Sequence, residues 1–183
     1  MNALKFIGLV AIVAMLNPVS AFAQRPRVSP HETVSAVIDG NRVTLVYGRP
    51  YSKDPKSGEI RKIWGALLPN GKAWRLGADE ATLLLTQKPI EFGDTTVPAG
   101  AYTLYMIPDE NGGKLAISKS LGAWGVPVDE KNDFARVDLK KETLEKPNEQ
   151  LELAVEKNPS GGGVIKIMWE GTQFSAPFTV VKK

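Results

Sequence analysis

Cysteine is absent from the 183 residues, and histidine occurs once. Without thiols the chain has no disulfide, no thiolate metal ligand and no cysteine nucleophile, so its stability must come from packing. The lone His31 lies in a polar N-terminal arm. A hydrolase triad needs a base beside its nucleophile, so this shortage argues against one, and zinc, which draws on several His or Cys ligands, is disfavoured too. Charge of one sign is also scarce: 23 Lys and Arg stand against 20 Asp and Glu, a net +3, with the two signs interspersed. That balance lacks the basic footprint of a nucleic-acid binder. The apolar run from Phe6 to Leu16 is about 11 residues, short of the roughly 20 that a membrane-spanning helix needs, so no permanent anchor is expected.

That same short run is informative. Lys5 precedes it, Asn17-Pro18 ends it, and the small-residue site Ala21-Phe22-Ala23 follows. The pattern reads as a signal peptide over residues 1–23, cleaved after Ala23, with a periplasmic or secreted product. A lipoprotein route is excluded, because it acylates a cysteine. Residues 24–183 fit one domain large enough to bury a core.

The rest alternates with period two and is punctuated by turns. Val34 to Ile38, then Asp39-Gly40-Asn41, then Arg42 to Tyr47 spell a β-hairpin with Val43, Leu45 and Tyr47 on one face. A long irregular stretch from Gly48 to Lys72 follows, with a helical turn expected at Lys62 to Leu68. Strands are then expected at Ala81–Gln87, Ile90–Phe92, Ala101–Ile107, Lys114–Ser118, Phe134–Leu139, Gln150–Glu156, Val164–Trp169 and Phe174–Val181. Gly161 to Gly163 falls between two strands and is a turn, not a phosphate-cradling loop. The pattern predicts an all-β antiparallel sandwich of about ten short strands in a single domain.

The segment Trp74 to Thr82 crowds an aromatic, a guanidinium and two acids around Gly77-Ala78. Arg75 and Glu80 admit two readings. Either they form a structural ion pair that pins the loop to the sheet, or Arg49, Lys62 and Arg75 build a cationic recess for an anionic or polyhydroxyl ligand, with Glu80 orienting the arginines. Asp79 and Glu80 would point to opposite faces of a strand, so acid/base chemistry would need a distant partner such as Asp129. Trp169 sits in an alternating strand and reads as core. Trp64, Trp74 and Trp124 flank glycine-containing loops, and are either ligand platforms or seals over the sandwich. Asp129, Glu130, Asn132 and Asp133 supply oxygens suited to calcium but lack EF-hand spacing, so a solvated acidic turn is the simpler reading; no metal and no cofactor is assigned.

Taken together, Ser29-Pro30, Tyr47-Gly48-Arg49-Pro50, Ile63-Trp64-Gly65, Trp74 to Thr82, Pro98 to Leu104 and Trp124-Gly125 resemble a bacterial family of domains of unknown function, the one numbered 2911. The resemblance spans nearly all of residues 24–183 and rests on the order and spacing of several unrelated motifs. It implies an exported single β-rich domain with no established activity. The motif positions it carries over are Arg49, Trp64, Trp74, Arg75, Asp79, Glu80, Thr82 and Trp124. The chain departs from the family pattern in carrying Asp79 where asparagine is more frequent. Asp54 to Glu59 also looks like an insertion that lengthens the rim of any cleft.

The leading functional reading is an exported binding or accessory module of the cell envelope with a polar Arg/Glu recess for a small polar or anionic ligand. The alternative is a hydrolase using Glu80 or Asp79 with a second acid on a sugar or other polar substrate. A raised carboxyl pKa in a closed cleft favours the enzyme, and full exposure or a tight pairing with Arg75 favours the module. The leader makes a direct prediction. Mass spectrometry of protein recovered from its native cell envelope should find Gln24 at the N-terminus; an intact, membrane-embedded Met1 terminus would refute the export reading.

Overall fold

A computed structural model describes residues 27–122, 124 and 129–182. The expected leader and the start at Gln24 lie outside them. Among the described residues nine strands occur: β1 (His31–Ile38), β2 (Asn41–Gly48), β3 (Thr82–Thr86), β4 (Ile90–Phe92), β5 (Thr95–Val97), β6 (Gly100–Pro108), β7 (Gly112–Ser118), β8 (Asp133–Lys157) and β9 (Gly163–Val180). One 3-10 turn, Glu130–Asn132, precedes β8. The all-β antiparallel expectation holds. All neighbours pair antiparallel in one continuous sheet of order β1-β2-β3-β6-β7-β8-β9-β4-β5.

The hairpin between β1 and β2 forms where the sequence puts it. Ile38 faces Asn41 across a two-residue loop, and Asp39 and Gly40 both take positive φ, 48° and 72°. That is the conformation whose twist matches the flanking strands. Asn41 is fully buried; its amide donates to Thr86 Oγ1 at 2.9 Å, and its carbonyl accepts the Lys88 N–H at 2.8 Å. Hydrogen bonding on both ends is what makes burial of that amide tolerable.

β8 and β9 explain how one sheet supplies both layers of a core. At 25 residues β8 would extend roughly 80 Å if straight, so it must bend. The bend falls where pairing with β9 skips, between Thr143 and Asn148 and again between Asn148 and Glu152. Pro147 lies inside that bulge, where the lack of an N–H costs no ladder bond. Opposite it, Glu170 takes φ 51°. Before the bulge β8 pairs with β7; beyond it, β8 continues along β9 and packs on β1 and β2. Val43, Leu45 and Tyr47 of β2 and Leu151, Leu153 and Val155 of β8 are all buried, as their alternation requires. Ten expected segments thus become nine strands because two pairs merge across bends and the short β5 is added.

The long stretch between β2 and β3 is tied down at its root. The Ser52 N–H donates to Glu149 O at 2.7 Å and the Leu151 N–H donates to Pro50 O at 2.9 Å, so the bulged part of β8 finds its partners in this segment. No helix forms at Lys62 to Leu68. The N–H groups of Leu67 and Leu68 reach five residues back, to Lys62 O and Ile63 O, and Gly65 takes φ 80°, which closes a wide turn instead. Trp64 then packs edge-on to Trp74 and Trp169, which stack on each other at 5.7 Å and 23°.

Gly48 ends β2 against this returning chain. A Cβ there would stand 2.3 Å from the Ala78 carbonyl oxygen. Gly48→Ala should therefore cost about 1–3 kcal/mol in denaturant melts, because overpacked backbone must shift. Gly171→Ala meets nothing within 4 Å and should stay within about 0.5 kcal/mol of the parent. Equal effects of the two changes would refute the contact.

Candidate functional site

The segment from Trp74 to Thr82 folds into a compact turn. Trp74 exchanges two backbone hydrogen bonds of 2.7 Å with Met106, which anchors the turn to β6. Leu76 and Asp79 both take left-handed φ, 59° and 62°. Leu76 is costly there for a branched side chain but is fully buried, and its carbonyl accepts the Thr82 hydroxyl at 2.8 Å. Asp79 suits its angle, since Asp and Asn are the non-glycine residues that tolerate this region best. The Ala78 N–H donates to Gly48 O at 3.2 Å, closing the turn onto β2.

On one side of this turn lies a cavity of about 460 Å³. Trp74 and Trp169 contribute to its wall, Gly77 and Ala78 bound it, and Lys53, Arg61, Lys72 and Arg75 bring four cations to it. No carboxylate residue is among its described lining residues. Arg75 makes no side-chain hydrogen bond or ion pair among the described residues, whereas the Arg61 guanidinium donates to the carbonyls of Ser52 and Tyr51 and so also ties its loop. Trp169 is buried, as its alternation indicates, yet its indole N–H finds no acceptor among the described residues. A buried donor left unmatched costs about 1–3 kcal/mol.

Glu80 lies on the other side, in a recess of about 360 Å³ with Arg27, His31, Tyr47 and Thr103. Its carboxylate takes two 2.6 Å hydrogen bonds from the Arg27 guanidinium, and His31 Nε2 stands 2.9 Å from Oε2. The expected Arg75–Glu80 pair is therefore not formed; Arg27 is the partner. The Arg27 hydrogen bonds hold the Glu80 carboxyl at about 2, well below its ordinary 4.5. On the opposite, core-facing side of β2, burial pushes the Tyr47 hydroxyl up to about 12, and the Leu153 N–H donates to that oxygen at 2.9 Å.

The remaining candidates scatter. Arg49 turns to Glu32 at 2.7 Å and donates through Nε to Leu151 O at 3.0 Å, so it binds loop to sheet and does not line the cavity. Lys62 and Trp64 border a third recess with Glu170, and the Trp64 indole donates to Trp169 O at 3.1 Å. Trp124 is 68% exposed and borders none of these recesses. Asp79 Oδ2 is buried without a hydrogen-bond partner among the described residues. In the acidic turn, Asp129 accepts the Lys131 N–H, while Glu130 and Asp133 both bind Arg136; a guanidinium thus occupies the charge that calcium would need. Lys53, Arg61, Lys72 and Arg27 were not singled out from the sequence, and His31 stood out only as the lone histidine. Lys72 had a signal, two residues before Trp74 in a glycine turn, and Lys53 adjoined the insertion, at whose base Pro55 also lines the cavity. Arg27 had none.

Two measurements check this electrostatic assignment. The fold favours ionised Glu80, so its contribution to stability is complete above about pH 4.5 and is lost as pH falls through about 2. Acid titration of stability should show that loss, and Glu80→Gln should remove it. In thermodynamic cycles, Arg27→Ala and Glu80→Ala should be less than additive, with the coupling fading at high salt because the pair is exposed. Arg75→Ala and Glu80→Ala should simply add. The reverse pattern would restore the Arg75 pair.

Comparison with known proteins adds one finding. Searches of curated proteins and of solved structures returned no match. A family model described as protein of unknown function, DUF2911, matches residues 29–178, from just before β1 into β9. With its motifs seated on the turn, the hairpin and the cavity wall described above, the chain belongs to the DUF2911 family.

Proposed function

We propose that this protein is an exported binding or accessory module of the cell envelope, and that it takes an anionic ligand in the cavity beside Trp74 and Arg75. One observation carries the reading: Lys53, Arg61, Lys72 and Arg75 converge on a single cavity whose described lining contains no carboxylate. Like charges gathered around a concave, partly apolar surface repel one another and concentrate a positive field there. An anion relieves that repulsion, and the Arg75 guanidinium, with no partner among the described residues, presents donors suited to carboxylate or phosphate oxygens. The 460 Å³ volume falls within the range of small-molecule sites.

The hydrolase alternative finds less support. With Glu80 held near 2 by Arg27, that carboxyl is ionised at neutral pH and has no proton to deliver as a general acid. Two-carboxylate chemistry also needs a second acid within several ångströms, and the described lining of Glu80's recess contains none.

A thermal-shift screen tests the reading by pairing anionic compounds with neutral counterparts, such as benzoate with benzamide and glucose 6-phosphate with glucose. Stabilisation should be confined to the anionic members, because a ligand that binds only the folded state raises its melting temperature. Arg75→Gln should abolish most of the shift while leaving the unliganded melting temperature nearly unchanged. Equal shifts from charged and neutral members, or shifts indifferent to Arg75→Gln, would reject the anion site.

A further inference from the structure

The cations explain only part of this cavity. Most of its remaining wall is apolar: Leu67, Leu68 and Pro69 come from the wide turn, and Trp74 and Trp169 from the stacked pair. Of the eight exposed large hydrophobic residues among those described, three, Val28, Tyr51 and Leu67, line this one cavity, at 63%, 42% and 43% exposure. Isolated exposed apolar side chains are ordinary, but a group of them around a concave surface marks a binding site. An inorganic anion has no use for such a surface. Size points the same way: at about 30 Å³ for each water-sized group, 460 Å³ accommodates roughly fifteen such groups, several times the bulk of a phosphate ion.

Resting on the anionic reading above, we infer that the occupant is an amphiphilic organic anion, a carboxylate, sulfate or phosphate head joined to an apolar or aryl body of roughly a dozen non-hydrogen atoms. The head meets the cations of the two loop arms, Lys53 with Arg61 and Lys72 with Arg75. The body covers Leu67, Tyr51 and the tryptophan wall. Trp169 supplies one further element. Its buried indole N–H lacks an acceptor among the described residues, and this residue belongs to the lining of the same cavity. Such a head and body occur together both in free single-chain amphiphiles and in membrane lipids.

The test uses the mature chain and three probes: decanoate, decanol and inorganic phosphate, each followed by tryptophan fluorescence and titration calorimetry below the micelle concentration. Decanoate should bind saturably at one per chain, with decanol at least about tenfold weaker and phosphate negligible. Lys72→Gln with Arg75→Gln should weaken decanoate about tenfold or more and leave decanol unchanged. Leu67→Ser should weaken both, and the remote Lys119→Gln should weaken neither. Circular dichroism of every variant confirms that the sheet is intact. Vesicles containing anionic lipid separate the two sources of the ligand: competition between vesicles and monomeric decanoate supports a lipid source, and its absence alongside decanoate binding supports a free amphiphile. Phosphate binding as tightly as decanoate would overturn the amphiphile and leave the anion site standing. Decanol matching decanoate would overturn both. Failure of decanoate to bind the parent chain, with or without adhesion to vesicles, would overturn the amphiphile, and the paired anion screen would then decide the anion site by itself.

Discussion

The backbone contact of Gly48 with Ala78 is the constraint on which the two recesses beside the Trp74–Thr82 turn depend. It fixes the end of β2 against the turn that leads into β3, and it does so without side chains: the Gly48 carbonyl accepts the Ala78 N–H, while any Cβ on Gly48 would collide with the Ala78 oxygen. Gly77 approaches from the same side, its own missing Cβ lying 2.9 Å from Gly48 O. Two short residues and a shared hydrogen bond thus bring chain segments thirty positions apart into van der Waals contact. Everything that distinguishes the two recesses follows, because this contact is the partition between them.

That partition sorts the charges. Arg75 precedes it and reaches the cavity with the tryptophan wall; Glu80 follows it and reaches Arg27 and His31. Residues five apart in sequence therefore serve different surfaces. The separation keeps a carboxylate away from the cavity, where it would offset the positive field of the four cations that line it. It also leaves Glu80 engaged by a residue 53 positions earlier, so the segment just before β1 is held to the entrance of β3 by charge and to the end of β2 by the Arg49 N–H bond to Pro30 O.

Much of the fold was legible because alternation is a local property. Val43, Leu45 and Tyr47 announced a buried face, and Asp39-Gly40 announced a turn with two positive φ angles; both depend on a handful of adjacent residues. The continuity of β8 was not legible, because Pro147 and its polar neighbours look like a loop. Only the pairing of Thr143 and Asn148 with Thr172 and Glu170 of β9 reveals a bulge within one strand. The site divides the same way. Trp74 and Arg75 stood out by composition and do share a cavity. The Arg75–Glu80 pair was one reading of charges crowded into a short segment, but nearness in sequence does not fix direction, and the left-handed residues Leu76 and Asp79 turn the two side chains apart. Arg27, Lys53 and Lys72 were ordinary surface cations until the folded chain assembled them.

The order of strands in the sheet bears on how the molecule comes into being. β4 and β5 are made halfway along the chain, yet Ile90 and Glu91 pair with Val180 and Thr179 of the last strand. The hairpin they form has no neighbour in the sheet until those final residues exist. For a polypeptide delivered from its N-terminus onward, docking of this hairpin onto the sheet is consequently a late event that awaits the end of β9. Thr179 and Val180 act as a latch for one hairpin: a chain without them would keep β4 paired to β5 while losing the strand that joins that hairpin to the rest of the sheet.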